Sequence, residues 1–117
     1  MSIVALVPLL LVALLHLWIL VLEMFLWTTP KAMRIFGTTP ETAATSRVLA
    51  ANQGLYNGFL AAGLLWAAIA ARQDVALFFL GCVLVAGLYG AYSARKPRIL
   101  FVQAVPALIA ILAVRFG

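Results

Sequence analysis

The sequence has 117 residues, of which 67% are hydrophobic and only 9% charged. A soluble domain of this size carries about 25% charged residues, so this composition argues against a soluble globular fold and points to a membrane. The net charge of +5 does not point to nucleic acid, because the basic residues stand at the ends of apolar runs, where they anchor and orient helices, and form no basic face.

In chain order, the first apolar run predicts a helix over residues 3–27, interrupted in character only by His16 and Glu23. It has no basic n-region (the first basic residue is Lys31) and is too long for a typical cleaved signal peptide, so it reads as a mature helix. Thr29, Pro30 and Gly37 then supply a cap, a first helical residue and a stop for a short amphipathic helix. Its Met33, Ile35 and Phe36 suit the membrane interface, while Lys31 and Arg34 suit headgroups. Thr39-Pro40-Glu41 repeats the start signal for a second long helix, residues 40–71. At ~1.5 Å per residue that helix is about 48 Å long, more than a bilayer needs, so its membrane part begins near Arg47.

The tight link Arg72-Gln73-Asp74 leads into a third helix over 74–93, and Arg95-Lys96-Pro97-Arg98 into a fourth over 98–116. Pro106 is expected to kink the fourth helix. The predicted fold class is all-α: one domain, residues 1–117, forming an integral membrane four-helix bundle with a short interfacial helix between its first two spans. Lys31, Arg34, Arg47, Arg95, Lys96 and Arg98 fall on one side, with Arg72 and Arg115 on the other. The positive-inside rule then puts both basic loops in the cytoplasm and both termini outside an inner membrane. Gly54 and Gly58, and Ala86 and Gly90, are small-residue pairs four apart that permit close packing within the chain or a homo-oligomer. The one cysteine, Cys82, cannot form an intrachain disulfide and reads as a packing residue.

Ionisable residues within a span are costly and are functional candidates by default. His16 and Glu23, seven apart, share one face of the first helix. The second helix offers Asn52, Gln53, Tyr56 and Asn57, the third Tyr89 and Tyr92, and the fourth Gln103. Counted inward from the cytoplasmic ends at ~1.5 Å per residue, Glu23 lies about 6 Å deep, His16 about 16 Å, Asn52 about 8 Å, Asn57 about 15 Å, Tyr89 about 6 Å and Gln103 about 8 Å. All four helices thus place polar groups in the same half of the membrane.

A low dielectric favours the neutral form of a carboxyl such as Glu23 unless it is paired, and a protonatable carboxyl suits proton-coupled transport or general acid catalysis. A neutral His16 could bind haem iron, shuttle a proton or pair with Glu23, but a lone histidine lacks a second protein ligand. Amides and phenols could bind the oxygen of a largely apolar ligand, or serve as glue between helices. No metal-ligand spacing, phosphate-cradling glycine loop or nucleophile elbow occurs.

The stretch Ala51-Asn52-Gln53-Gly54-Leu55-Tyr56-Asn57-Gly58-Phe59, together with Glu23-Met24-Phe25-Leu26-Trp27 and the tyrosine-bearing end of the third helix, resembles a family of small bacterial membrane proteins labelled domain of unknown function 1304. The resemblance covers almost the whole chain. It implies four helices and a membrane location, and brings no activity. A further likeness, through Asn57-Gly58 and Tyr89 or Tyr92, is to styrene oxide isomerase, a four-helix membrane enzyme that uses haem. That family's haem-ligating histidine would fall within Ala50-Ala51-Asn52-Gln53, where this sequence has none.

Three readings follow. The first is a protein that binds or transports a small, largely apolar molecule at an intramembrane site centred on Glu23, with similarity in size and helix-1 carboxylate to small multidrug transporters. The second is a membrane enzyme, isomerase-like, in which Asn57, Tyr89 and Glu23 hold or protonate a lipophilic oxygen compound, with or without haem. The third is an accessory structural subunit without a ligand.

Overall fold

Long apolar runs separated by Thr-Pro and charged punctuation leave the chain little choice but helices. The computed structural model describes residues 1–117, and it is all-α, with no β-strand. Helix α1 spans Ile3–Met24, and Ser2 Oγ at its start accepts from the Ala5 amide at 3.2 Å. It ends three residues before the predicted Trp27. The Leu26 amide turns to Val21 O at 3.1 Å, a widened turn that unwinds the helix, and Pro30 then holds Thr29 extended (ψ 155°).

Helix α2, Pro30–Phe36, is built by its caps. Thr29 accepts from the Ala32 amide, and Gly37 closes the helix in the left-handed region at φ 69°, where a Cβ would be strained. Helix α3, Pro40–Thr45, opens with a reciprocal capping box between Thr39 and Thr42. The predicted continuous helix over 40–71 is two helices. Ser46 (φ −99°, ψ 6°) leaves helical geometry, and its hydroxyl donates to Thr42 O at 2.5 Å, competing with the backbone ladder. Helix α4 then spans Arg47–Ala70.

Two reversals follow. Ala71 takes φ 53° while the Arg72 amide reaches back to Ala67 O at 2.9 Å. Helix α5, Gln73–Ala94, ends in the same way, with Arg95 at φ 54° and the Lys96 amide on Ala91 O at 3.2 Å. Both are left-handed caps without glycine. The predicted break at Pro106 takes the form of a π-helical turn, Leu100–Ala104, followed by helix α6, Val105–Phe116. Pro106 has no N–H for the carbonyl four residues back, and the widened turn just before it absorbs that defect.

Two compact units emerge, one from residues 1–14 and 60–117 and one from residues 15–59. The first has an apolar core that includes Leu9, Val12, Leu64, Leu80, Val83, Ala107 and Ala110. Gly87 makes room in it: a Cβ there would stand 2.8 Å from Ala104 N and 3.0 Å from Gln103 Cβ. Gln73 Nε2 donates to Val114 O at 2.7 Å, and Arg72 forms a two-pronged, exposed ion pair with Asp74 at 2.9 and 2.7 Å.

The helices α1 and α5 are each long and apolar enough to cross a membrane. Helix α4 has the length but not the mean hydropathy, because Asn52, Gln53, Tyr56 and Asn57 dilute its first half. The apolar segment Leu100–Phe116 falls short in length.

Candidate functional site: a buried carboxyl on α1

The unit formed by residues 15–59 contains the two buried ionisable side chains of the chain, His16 (0% exposed) and Glu23 (6%), both on α1. Glu23 is reached from α4. Gly54 is the residue that permits the approach: a Cβ there would lie 2.6 Å from Met24 Cγ, 3.1 Å from Glu23 Cβ and 3.3 Å from Leu20 O. One turn on, a Cβ at Gly58 would meet Leu20 Cδ1 at 2.6 Å. With the helices this close, Asn57 Nδ2 donates to Glu23 Oε1 at 2.7 Å.

The partner of Glu23 is therefore a neutral amide rather than a histidine, tyrosine or arginine. The other carboxyl oxygen, Oε2, makes no hydrogen bond. Thr38 Oγ1, in the same unit, is a buried side-chain polar atom without a partner. One oxygen is tethered and the other has no hydrogen-bond partner. Such a carboxyl can accept a proton or a ligand without giving up its amide.

The other candidate residues are placed as follows. Asn52, Gln53 and Tyr56 are exposed on α4, and none is hydrogen bonded to Glu23. The Tyr56 ring lies 6.0 Å from that of Phe59. Tyr89 (69% exposed) and Tyr92 lie on α5, and Gln103 lies in the π-helical turn, all three in the other unit. His16 is fully enclosed, and its ring offers no open face to an iron. No group of three or more His, Cys, Asp or Glu side chains comes together as a metal site.

The same unit contains contacts that the sequence analysis missed. Trp27 Nε1 donates to Ser46 Oγ at 3.2 Å, and its ring lies 5.0 Å from that of Phe36. Lys31 Nζ sits 5.1 Å from the centre of the Trp18 ring, a cation–π contact. The chain reversal after Met24 that brings these rings together has no short-range sequence signature beyond Thr29-Pro30.

The family model described as "Protein of unknown function (DUF1304)" matches residues 10–115. The chain belongs to the DUF1304 family. "Uncharacterized protein YpaA" of Lactococcus lactis subsp. lactis (strain IL1403) is similar to this DUF1304 protein, 31% identical over 116 residues that cover 96% of this chain and 97% of the relative. No solved structure matches. The DUF1304 match spans every candidate residue from His16 to Gln103.

Proposed function

We propose that this DUF1304 protein is a four-helix, multi-pass inner-membrane protein that binds or transports a small, largely apolar molecule at an intramembrane site centred on Glu23. The observation that carries the reading is the hydrogen bond between Asn57 and a buried carboxyl whose second oxygen has no hydrogen-bond partner. A buried ionisable group without a counter-charge lowers stability, and its retention inside a span is a mark of function. The four spans are α1, α4, α5 and the stretch from Leu100 to Phe116. The basic residues of the α1–α4 and α5–α6 connections face the cytoplasm, and both termini lie outside. Of the two small-residue faces, Gly54 and Gly58 are occupied by α1, which leaves Ala86–Gly90 as the face for a homo-oligomer.

Dicyclohexylcarbodiimide tests this directly. It is itself small and apolar, and it attacks protonated carboxyls. In membranes containing the full chain, mass spectrometry is expected to find the adduct on Glu23 and not on the exposed Glu41 or Asp74. An unmodified Glu23 would mean that no small apolar molecule reaches it, and the accessory-subunit reading would replace this one.

A further inference from the structure

The unit that buries no ionisable group carries a cleft of its own. It has a volume of about 350 Å³ and is lined by Trp66 of α4 and by Asp74, Val75, Phe78 and Phe79 of α5. It lies near the ends of the two helices that meet at the Ala71 reversal. A glycine shapes it: a Cβ at Gly63 would collide with the Phe79 ring, so that ring packs onto the backbone of α4. Phe78 stands edge-on to Phe79 at 87°, with ring centres 5.3 Å apart. Aromatic side chains commonly anchor a helix at a membrane surface one by one. Here Trp66, Phe78 and Phe79 converge on one hollow instead.

The charges beside this apolar hollow narrow what fits. Asp74 accepts from Arg72 Nε at 2.9 Å and from Arg72 Nη2 at 2.7 Å, and both side chains are exposed. An exposed ion pair is weakly held. It also leaves Arg72 Nη1 outside the pair, and each carboxylate oxygen can accept a further bond. One acceptor of negative charge and one donor of positive charge thus stand side by side, with no net charge. A lone cation meets Arg72 as well as Asp74, and a lone anion the reverse. A zwitterion laid across the pair in the opposite sense satisfies both, with an ammonium on Asp74 and a phosphate on Arg72.

We propose that this cleft holds one zwitterionic phospholipid with a primary ammonium headgroup. The headgroup lies across Arg72 and Asp74, and the upper part of an acyl chain rests on Trp66, Val75, Phe78 and Phe79. The site is separate from Glu23 and stands or falls independently of it.

The test uses the purified full chain in neutral detergent, with bound lipid counted by native mass spectrometry. Phosphatidylethanolamine, phosphatidylglycerol and diacylglycerol with identical chains are titrated in turn. One phosphatidylethanolamine per chain is expected to bind about tenfold tighter than either of the others, or better. Glycerophosphoethanolamine, the headgroup without acyl chains, is expected not to compete. Phe78→Ala is expected to lose most of the binding, and Phe101→Ala, on the π-helical turn, to keep it; the two rings are similarly exposed, at 66% and 69%. Asp74→Asn, which leaves Arg72 without its partner, is expected to shift the preference to phosphatidylglycerol. This surface substitution keeps the proposal falsifiable should Phe78→Ala prove poorly helical by circular dichroism. Equal binding of the three lipids, undiminished binding in a folded Phe78→Ala, or an unchanged preference in Asp74→Asn would each overturn the site. Competition by glycerophosphoethanolamine would overturn the lipid in favour of a soluble zwitterion. Carbodiimide labelling of Glu23 is expected to be the same in all these variants, so the two sites are scored separately.

Discussion

The unit formed by residues 1–14 and 60–117 and the unit formed by residues 15–59 draw on the same two helices, α1 and α4, yet fill their interiors differently. The first is packed with Leu, Val and Ala and buries no ionisable group. Its stability is that of close-fitting apolar side chains, where a lost methyl leaves a void. The second buries Leu22 and the alanines 32, 43 and 50 beside His16 and Glu23. A fold needing only stability would repeat the first solution throughout. The polar interior, paired through a neutral amide, is what separates the second unit from the first.

The largest effect should come from the apolar unit. Leu80 is fully buried on α5, and Leu80→Ala is expected to lower unfolding stability in detergent by about 2–5 kcal/mol. Carbodiimide labelling of Glu23 in the folded fraction should be unaffected. A change in labelling equal to that of a Glu23 variant would show that the two interiors are not separable.

Gly54→Ala comes next. The new Cβ would press on Met24, which can swing away, but also on Glu23 Cβ and the Leu20 carbonyl, which cannot. A loss of about 1–3 kcal/mol is expected, together with altered reactivity of Glu23 as Asn57 is pushed off. Wild-type labelling and stability in this variant would remove Gly54 as the residue that sets the approach of the two helices.

The smallest effect is a gain. Ala71 holds φ 53°, and Ala71→Gly is expected to raise stability by about 0.5–1 kcal/mol, with the added freedom of the unfolded chain offsetting part of the relief. A thermal melt that moves down instead would mean that the Ala71 methyl packs more favourably than its backbone is strained.

Local chemistry was readable from the sequence, and relative rotation was not. Thr29, Pro30 and Gly37 announced α2, and Thr39-Pro40 announced a helix start at Pro40, though not its early end at Thr45, because caps act over three or four residues. Glu23 stood out because a carboxyl in an apolar run is rare. Three amides on one helix competed to be its partner, however, and only the roll of α4 decides among them. That roll is set beyond Ser46, where a hydroxyl bonded to Thr42 O breaks what composition alone reads as one long helix. Similarly, Pro106 signalled a disturbance, but that it would be a π-helical turn seated against Gly87 depends on contacts with α5.

The Trp27–Ser46 hydrogen bond has a consequence for register. Ser46 stands just before α4, its carbonyl accepting from the Ala50 amide at 2.8 Å, and Asn57 follows it by eleven residues, close to three full turns at 3.6 residues each, so the two lie near one stripe of the helix. The end of α1 and the segment just after it therefore grip α4 at two points in phase, Trp27 on Ser46 and Glu23 on Asn57. One residue inserted between those points would turn the amide by about 100° away from the carboxyl while leaving α4 helical. The spacing from Ser46 to Asn57 thus acts as a ruler, on which three whole turns can be added or removed far more safely than one residue.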